Sequence, residues 1–161
     1  HPAAENQYPG AIPTGGSTHQ HLGGYWGMIK RLDEAYGRLL DTLKSLDLLE
    51  DTIVLFTSDH ACHFRTRNSE YNRSCHESSI RTPTVLTGGP FTGGGTLNEL
   101  VSLVDLPPTL LDGAGLDIPD QMSGRSILPI LGGRGRTLED PWQDDVFVPD
   151  TYTHLTLPTK A

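Results

Sequence analysis

A chain of 161 residues is long enough for one domain with a hydrophobic core; its apolar fraction of 35% is lean, and 18 Gly and 12 Pro point to abundant loops. Twelve basic against 20 acidic residues leave a formal net charge of −8, which argues against a nucleic-acid surface, because phosphate binding needs a basic patch. No stretch approaches the roughly 18 apolar residues of a membrane span, and two cysteines are too few for a disulfide framework, although one bridge between them stays open.

The chain starts at His1 rather than Met, in the run HPAAENQYPGAIPTGGST, so the expectation is a cut through a longer protein. Residues 1–21 read as loop, broken by Pro2, Pro9, Gly10, Pro13, Gly15 and Gly16. From Leu22 the pattern changes. Tyr25, Met28, Ile29, Leu32, Ala35, Tyr36, Leu39, Leu40, Leu43 and Leu46 recur at helical spacing, with Lys30, Arg31, Asp33, Glu34, Arg38, Asp41 and Lys44 on the other face. This predicts an amphipathic helix of about six or seven turns.

The run Ile53–Phe56 is short, apolar and β-branched in part, which suits a strand buried on both faces, as in a parallel sheet. Thr57, Ser58, Asp59 and His60 then fall at the carboxy-terminal end of that strand, where ligands bind in open α/β sheets. Residues 61–80 read as a long polar loop, a length that is often functional. TPTVLTGG (82–89) offers a second strand, stopped by Gly88, Gly89 and Pro90; ELVSLVD (99–105) fits either a strand or a helix. Asp105 is placed as the N-cap of a short helix with Pro107 in its first turn, ending near Gly113 or Gly115. MSGRSILPILGG adds apolar residues on a loop and a short element, and residues 22–150 are read as one region. The tail 151–161, TYTHLTLPTKA, joins badly to what precedes it and looks like translated sequencing-adapter DNA; no functional reading rests on it.

Three groups of residues carry chemistry. A carboxylate at a strand end, Asp59, suits a hard cation such as Ca²⁺ or Mg²⁺, and His60 beside it suits a ligand or a hydrogen-bond partner of whatever the metal binds; the plainer alternative is a turn cap and a loop histidine. The pairs Cys62-His63 and Cys75-His76 supply zinc-type donors, but no C-x₂₋₄-C spacing exists, and ordinary loop cysteines, bridged or not, explain them as well. Arg65, Arg67, Arg73 and Arg81 lie near Asp59 in an acidic chain, an arrangement for gripping phosphate or sulfate with forked hydrogen bonds; alternatively they are solvated charges, with Arg81 paired to Glu77 or Glu70.

TIVLFTSDHACHF, HESSIRTP, LVSLVDLPPTLLDGAG and MSGRSILPIL, in that order, resemble the C-terminal half of the catalytic domain of the sulfatase family, in the alkaline-phosphatase-like superfamily; the helix YWGMIKRLDEAYGRLLDTL resembles the one before that family's metal strand. The resemblance covers roughly residues 22 to 132 and implies an α/β fold, part of a mixed, mostly parallel sheet flanked by helices. It implies that Asp59 ligates Ca²⁺ and that His60 faces both the metal and the sulfate. Ala61 stands where Gly is usual. Many members carry a Lys five residues before the acid of E-x-x-I-R-x-P, which binds sulfate and assists the leaving oxygen. Here that position is Asn72, a neutral substrate-side residue, with Arg73 and His76 as the candidates to take over the charge as catalytic groups. Glu77, Ile80, Arg81 and Pro83 match the motif itself and are read as structural. The family's formylglycine nucleophile, made within C/S-x-P/A-x-R, has no counterpart motif here, so the expectation is a fragment, inactive alone, of an enzyme acting on a small-molecule or carbohydrate sulfate ester. The alternatives are a phosphodiesterase or phosphonate hydrolase of the same superfamily, and a non-catalytic metal- or carbohydrate-binding module.

Overall fold

The computed structural model describes residues 18–63, 74–133 and 141–146. They divide into two compact units. Residues 18–49, 60–63 and 74–83 belong to the first, and residues 50–59, 84–133 and 141–146 to the second. The division falls between Asp59 and His60.

In the first unit, helix α1 spans Thr18–Ser45. It starts earlier than the apolar spacing predicts. Thr18, His19, Gln20 and His21 contribute no apolar period, yet polar residues in a first turn are compatible with a helix, so residues 18–21, expected as loop, are helical, and the rest of that expectation lies outside the described residues. Its apolar stripe exists but is largely uncovered. Tyr25, Tyr36, Leu40 and Leu43 are half-buried, while Met28, Ile29, Leu32, Leu39 and Leu46 are exposed. The helix stops because Asp47 turns left-handed, at φ +55°. Leu48 N then donates to Leu43 O at 2.9 Å and Asp47 N to Lys44 O at 3.2 Å, the paired bonds of a Schellman ending. An L-residue with a Cβ is strained there, and glycine is not. Asp47→Gly is therefore expected to raise stability by about 0.5–1 kcal/mol, read as a higher denaturant midpoint at unchanged slope. Among the described residues, helix α2, Glu77–Ile80, is the other element of this unit.

In the second unit, β1 (Val54–Phe56) pairs with β2 (Val85–Thr87) in the register Val54–Thr87, Leu55–Leu86, Phe56–Val85. The pairing is antiparallel. The expected mixed, mostly parallel sheet admits such a pair, and among the described residues β1 has β2 alone. Continuous apolarity records burial, and Val54 is buried with Leu55 and Phe56 half-buried, but it carries no information about strand direction.

A 3₁₀ turn, Leu103–Asp105, leads into α3, Leu106–Gly113. ELVSLVD is thus neither one strand nor one helix; only its last three residues are regular. Asp105 stands at the N-cap of α3 as expected, but its side chain does not cap that helix. The carboxylate turns back instead: Oδ2 accepts from Ser102 N at 2.7 Å and from Gln143 Nε2 at 3.0 Å, and Oδ1 accepts from Arg125 N at 2.9 Å. Only 1% exposed, it ties three distant parts of the unit together. One turn on, buried Thr109 donates to Asp105 O at 2.5 Å and accepts from Ile127 N at 3.0 Å. At its far end α3 closes on Gly115 at φ +70°, with Leu116 N donating to Leu111 O at 2.9 Å. Gly124 is obligatory for another reason: a Cβ there would lie 1.9 Å from Val104 O.

The core of this unit is Ile127, Ile130 and Trp142, with Leu86, Phe91, Leu97 and Val101 packed against it. The ILPILGG run thus provides core residues as well as the 3₁₀ element Leu128–Gly133. Trp142 buries its ring and still satisfies its indole N–H, which donates to Leu100 O at 2.8 Å, while the Arg125 guanidinium lies 5.1 Å from the ring centre.

Candidate functional site

Asp59 lies three residues beyond β1 in the second unit, and its approach is set by a threonine pair. Thr57 Oγ1 and Thr84 Oγ1 are 3.0 Å apart, one step past the last ladder pair Phe56–Val85. This bond continues the β1–β2 register past the strand end, so the backbone that leads to Asp59 leaves from a fixed point. The carboxylate is exposed, and Ser58 Oγ donates to Oδ1 at 3.4 Å.

His60 opens the other stretch of the first unit. It is exposed, and Nδ1 lies 3.0 Å from Ala61 O, a contact that favours the tautomer with the proton on Nδ1. Ala61 N donates to Ser79 O at 2.8 Å, which joins the segment after His60 to α2. His76 precedes α2 and is exposed; its carbonyl accepts from Ser79 N at 2.7 Å and from Ile80 N at 3.2 Å. Arg81 Nη1 is 3.4 Å from Glu77 Oε2, one of the two pairings the sequence left open, on a solvated surface where such pairs contribute little. Asn72 and Arg73, with Arg65, Arg67 and Glu70, lie outside the described residues.

The first unit therefore brings the segments of His60 and His76 onto one small element, α2, and the second holds Asp59. Cys62 is half-buried and Cys75 exposed, and both are free thiols, so the bridge left open by the sequence is not made. Among the described residues no group of three or more His, Cys, Asp or Glu is gathered to hold a metal ion. A hard cation takes six to eight oxygens. Asp59 offers a carboxylate of the right kind, but the described residues alone do not complete such a shell.

Two residues of this region escaped the sequence reading. Ser79 is 2% exposed, and its hydroxyl is 2.6 Å from that of Ser74. Nothing in ESSIR distinguishes the buried Ser79 from exposed Ser78; a four-residue helix is too short to show a periodic face.

The sulfatase family model matches residues 1–116, which include Asp59, His60, His76 and the ESSIRTP run. The chain belongs to the sulfatase family. Arylsulfatase K of Canis lupus familiaris is 37% identical over 124 residues, covering 73% of this chain and 23% of that protein. The phosphonate monoester hydrolase of Silicibacter pomeroyi superposes with a TM-score of 0.67 at 26% identity, over 81% of this chain and 25% of that one. A protein solved in complex with its substrate D-glucosamine-2-N,6-O-disulfate superposes with a TM-score of 0.58 at 26% identity, over 81% of this chain and 27% of that one. The chain thus spans about a quarter of the length of each of these three proteins. The α/β character expected from the sequence agrees with these neighbours, and the described part of it is a small sheet with helices. No helix among the described residues is long and apolar enough to cross a membrane.

Proposed function

We propose that this chain is the C-terminal half of a sulfatase catalytic domain and that the complete enzyme hydrolyses sulfate esters, with carbohydrate sulfates among its substrates. The observation that carries the reading is the family match across residues 1–116, which embraces every candidate site residue. The relative solved with a glucosamine disulfate supports a sugar substrate.

In this reading Asp59 supplies one carboxylate to a Ca²⁺ ion whose other oxygen ligands come from outside the described residues. The bound cation would withdraw charge from the sulfate oxygens. His60 faces the sulfate, from a segment that the Ala61 N to Ser79 O hydrogen bond ties to α2. His76 or Arg73 takes the role of the lysine that Asn72 does not supply, donating to the leaving oxygen as the sulfur–oxygen bond breaks. The attacking oxygen belongs to a formylglycine carried by another part of the polypeptide, so this chain alone is inactive.

A phosphonate or phosphodiester hydrolase is the second reading, favoured by the superposition on the phosphonate monoester hydrolase. The two separate on a substrate panel. The full-length protein is expected to release sulfate from an aryl sulfate and a glucosamine sulfate at least about a hundredfold faster, in kcat/KM, than it cleaves a phosphonate monoester or a phosphate diester. Chelation is expected to abolish the activity and added Ca²⁺ to restore it. Preference for the phosphorus esters rejects the sulfatase reading, and Zn²⁺ retained through thiolates would point to a binding module instead.

A further inference from the structure

Ser79 belongs to no part of the chemistry just described, yet it holds both of the segments that carry it in the first unit. Its backbone N–H donates to His76 O at 2.7 Å, and its backbone carbonyl accepts from Ala61 N, next to His60, at 2.8 Å. Its buried hydroxyl pairs with Ser74 Oγ at 2.6 Å, and Ser74 Oγ in turn accepts from His76 N at 3.4 Å. The backbone of His76 is therefore held at both ends, directly at its carbonyl and through Ser74 at its N–H. The imidazole itself is exposed.

We propose that Ser79 is a positioning residue of the active site, whose hydroxyl, through Ser74, fixes the backbone from which His76 reaches the leaving oxygen. The inference rests on the sulfatase reading and on His76, rather than Arg73, as the proton donor. In the step concerned, the attacking oxygen bonds to sulfur as the bond from sulfur to the bridging oxygen breaks. The electron pair stays on the bridging oxygen, a proton passes to it from the imidazolium of His76, and the products are the sulfated nucleophile, an alcohol and a neutral imidazole. A donor misplaced by a fraction of an ångström loses much of its benefit. Alanine at residue 79 keeps both backbone bonds and removes only the hydroxyl link, so it tests the link itself.

The readout is dependence on the leaving group. A sugar sulfate releases an alkoxide and needs the proton; 4-nitrophenyl sulfate releases a stable phenolate and does not. In the full-length enzyme, Ser79→Ala is expected to lower kcat on the sugar sulfate about tenfold with KM within about twofold, and kcat on 4-nitrophenyl sulfate by less than about twofold. Ser74→Ala, which breaks the same link from the more accessible side, is expected to do the same, and carries the test if the residue-79 variant fails to fold. The double variant is expected to lose about tenfold and not a hundredfold. In a His76→Ala background, Ser79→Ala is expected to add nothing. Equal losses on both substrates, no loss on either, or a further loss on top of His76→Ala would overturn the positioning role while leaving the sulfatase reading intact. A wild-type enzyme that hydrolyses neither ester overturns both.

Discussion

Replacing Asp59 with alanine in the full-length enzyme is expected to cut sulfate-ester turnover by at least about a thousandfold. The argument is electrostatic. Negative charge builds on the oxygens around sulfur, and a fixed divalent cation is the largest single field available to oppose it. A carboxylate anchors such an ion with a full charge and two oxygens, and a methyl group offers neither. Asp59 is exposed at the carboxy-terminal end of β1, so truncation opens no cavity, and the melting temperature without metal is expected to stay within a degree or two. Bound Ca²⁺, measured by elemental analysis after dialysis, is expected to fall with activity. Asp59→Asn keeps one neutral oxygen and is expected to lie between the two, recovering in part at high Ca²⁺. Near-normal turnover of an aryl sulfate by Asp59→Ala would sink the assignment.

The second large effect is on stability. Asp105→Ala is expected to destabilise the protein by about 3 kcal/mol. The carboxylate is buried and accepts hydrogen bonds from Ser102 N, Arg125 N and Gln143 Nε2. Two of those donors are backbone groups that cannot move away, so deletion leaves them unsatisfied in a dry site, and that penalty outweighs the loss of any one bond. Asp105→Asn is expected to cost nearly as much, since one oxygen becomes an NH₂ facing other N–H groups. Urea unfolding measures both. A midpoint shift worth less than about 1 kcal/mol would mean that the three contacts are solvated or replaceable.

Why Asp105 matters could not be read from the chain. Its place before Leu106-Pro107 marked it as a helix cap, and it does stand at that boundary. Apart from Ser102, its partners lie 20 and 38 residues further along, at Arg125 and Gln143, and no local rule links residues so far apart. The same limit hid Ser79, whose hydroxyl partner Ser74 is close in sequence but whose backbone partner Ala61 is not. Strand direction escaped for a related reason. Side-chain burial is written in the run Ile53–Phe56, whereas the choice between parallel and antiparallel pairing depends on the path of the connection. The 28-residue α1 was legible because helical hydrogen bonds are local and the apolar period repeats many times, but the same pattern did not tell how much of its stripe this chain would cover.

By itself the sequence determined the local features: the long amphipathic helix, the two short strands, the Pro-started and Gly-ended helix α3, and the motif order that marks a sulfatase. These follow from interactions a few residues apart, or from residue types that one backbone conformation demands. Only the tertiary structure decided that β1 and β2 run antiparallel, that Asp105 braces the second unit through its side chain, and that Ser79 joins the segments of His60 and His76. Each of those depends on which distant group arrives to accept or donate a hydrogen bond, and a buried polar atom takes its role from the partner that arrives.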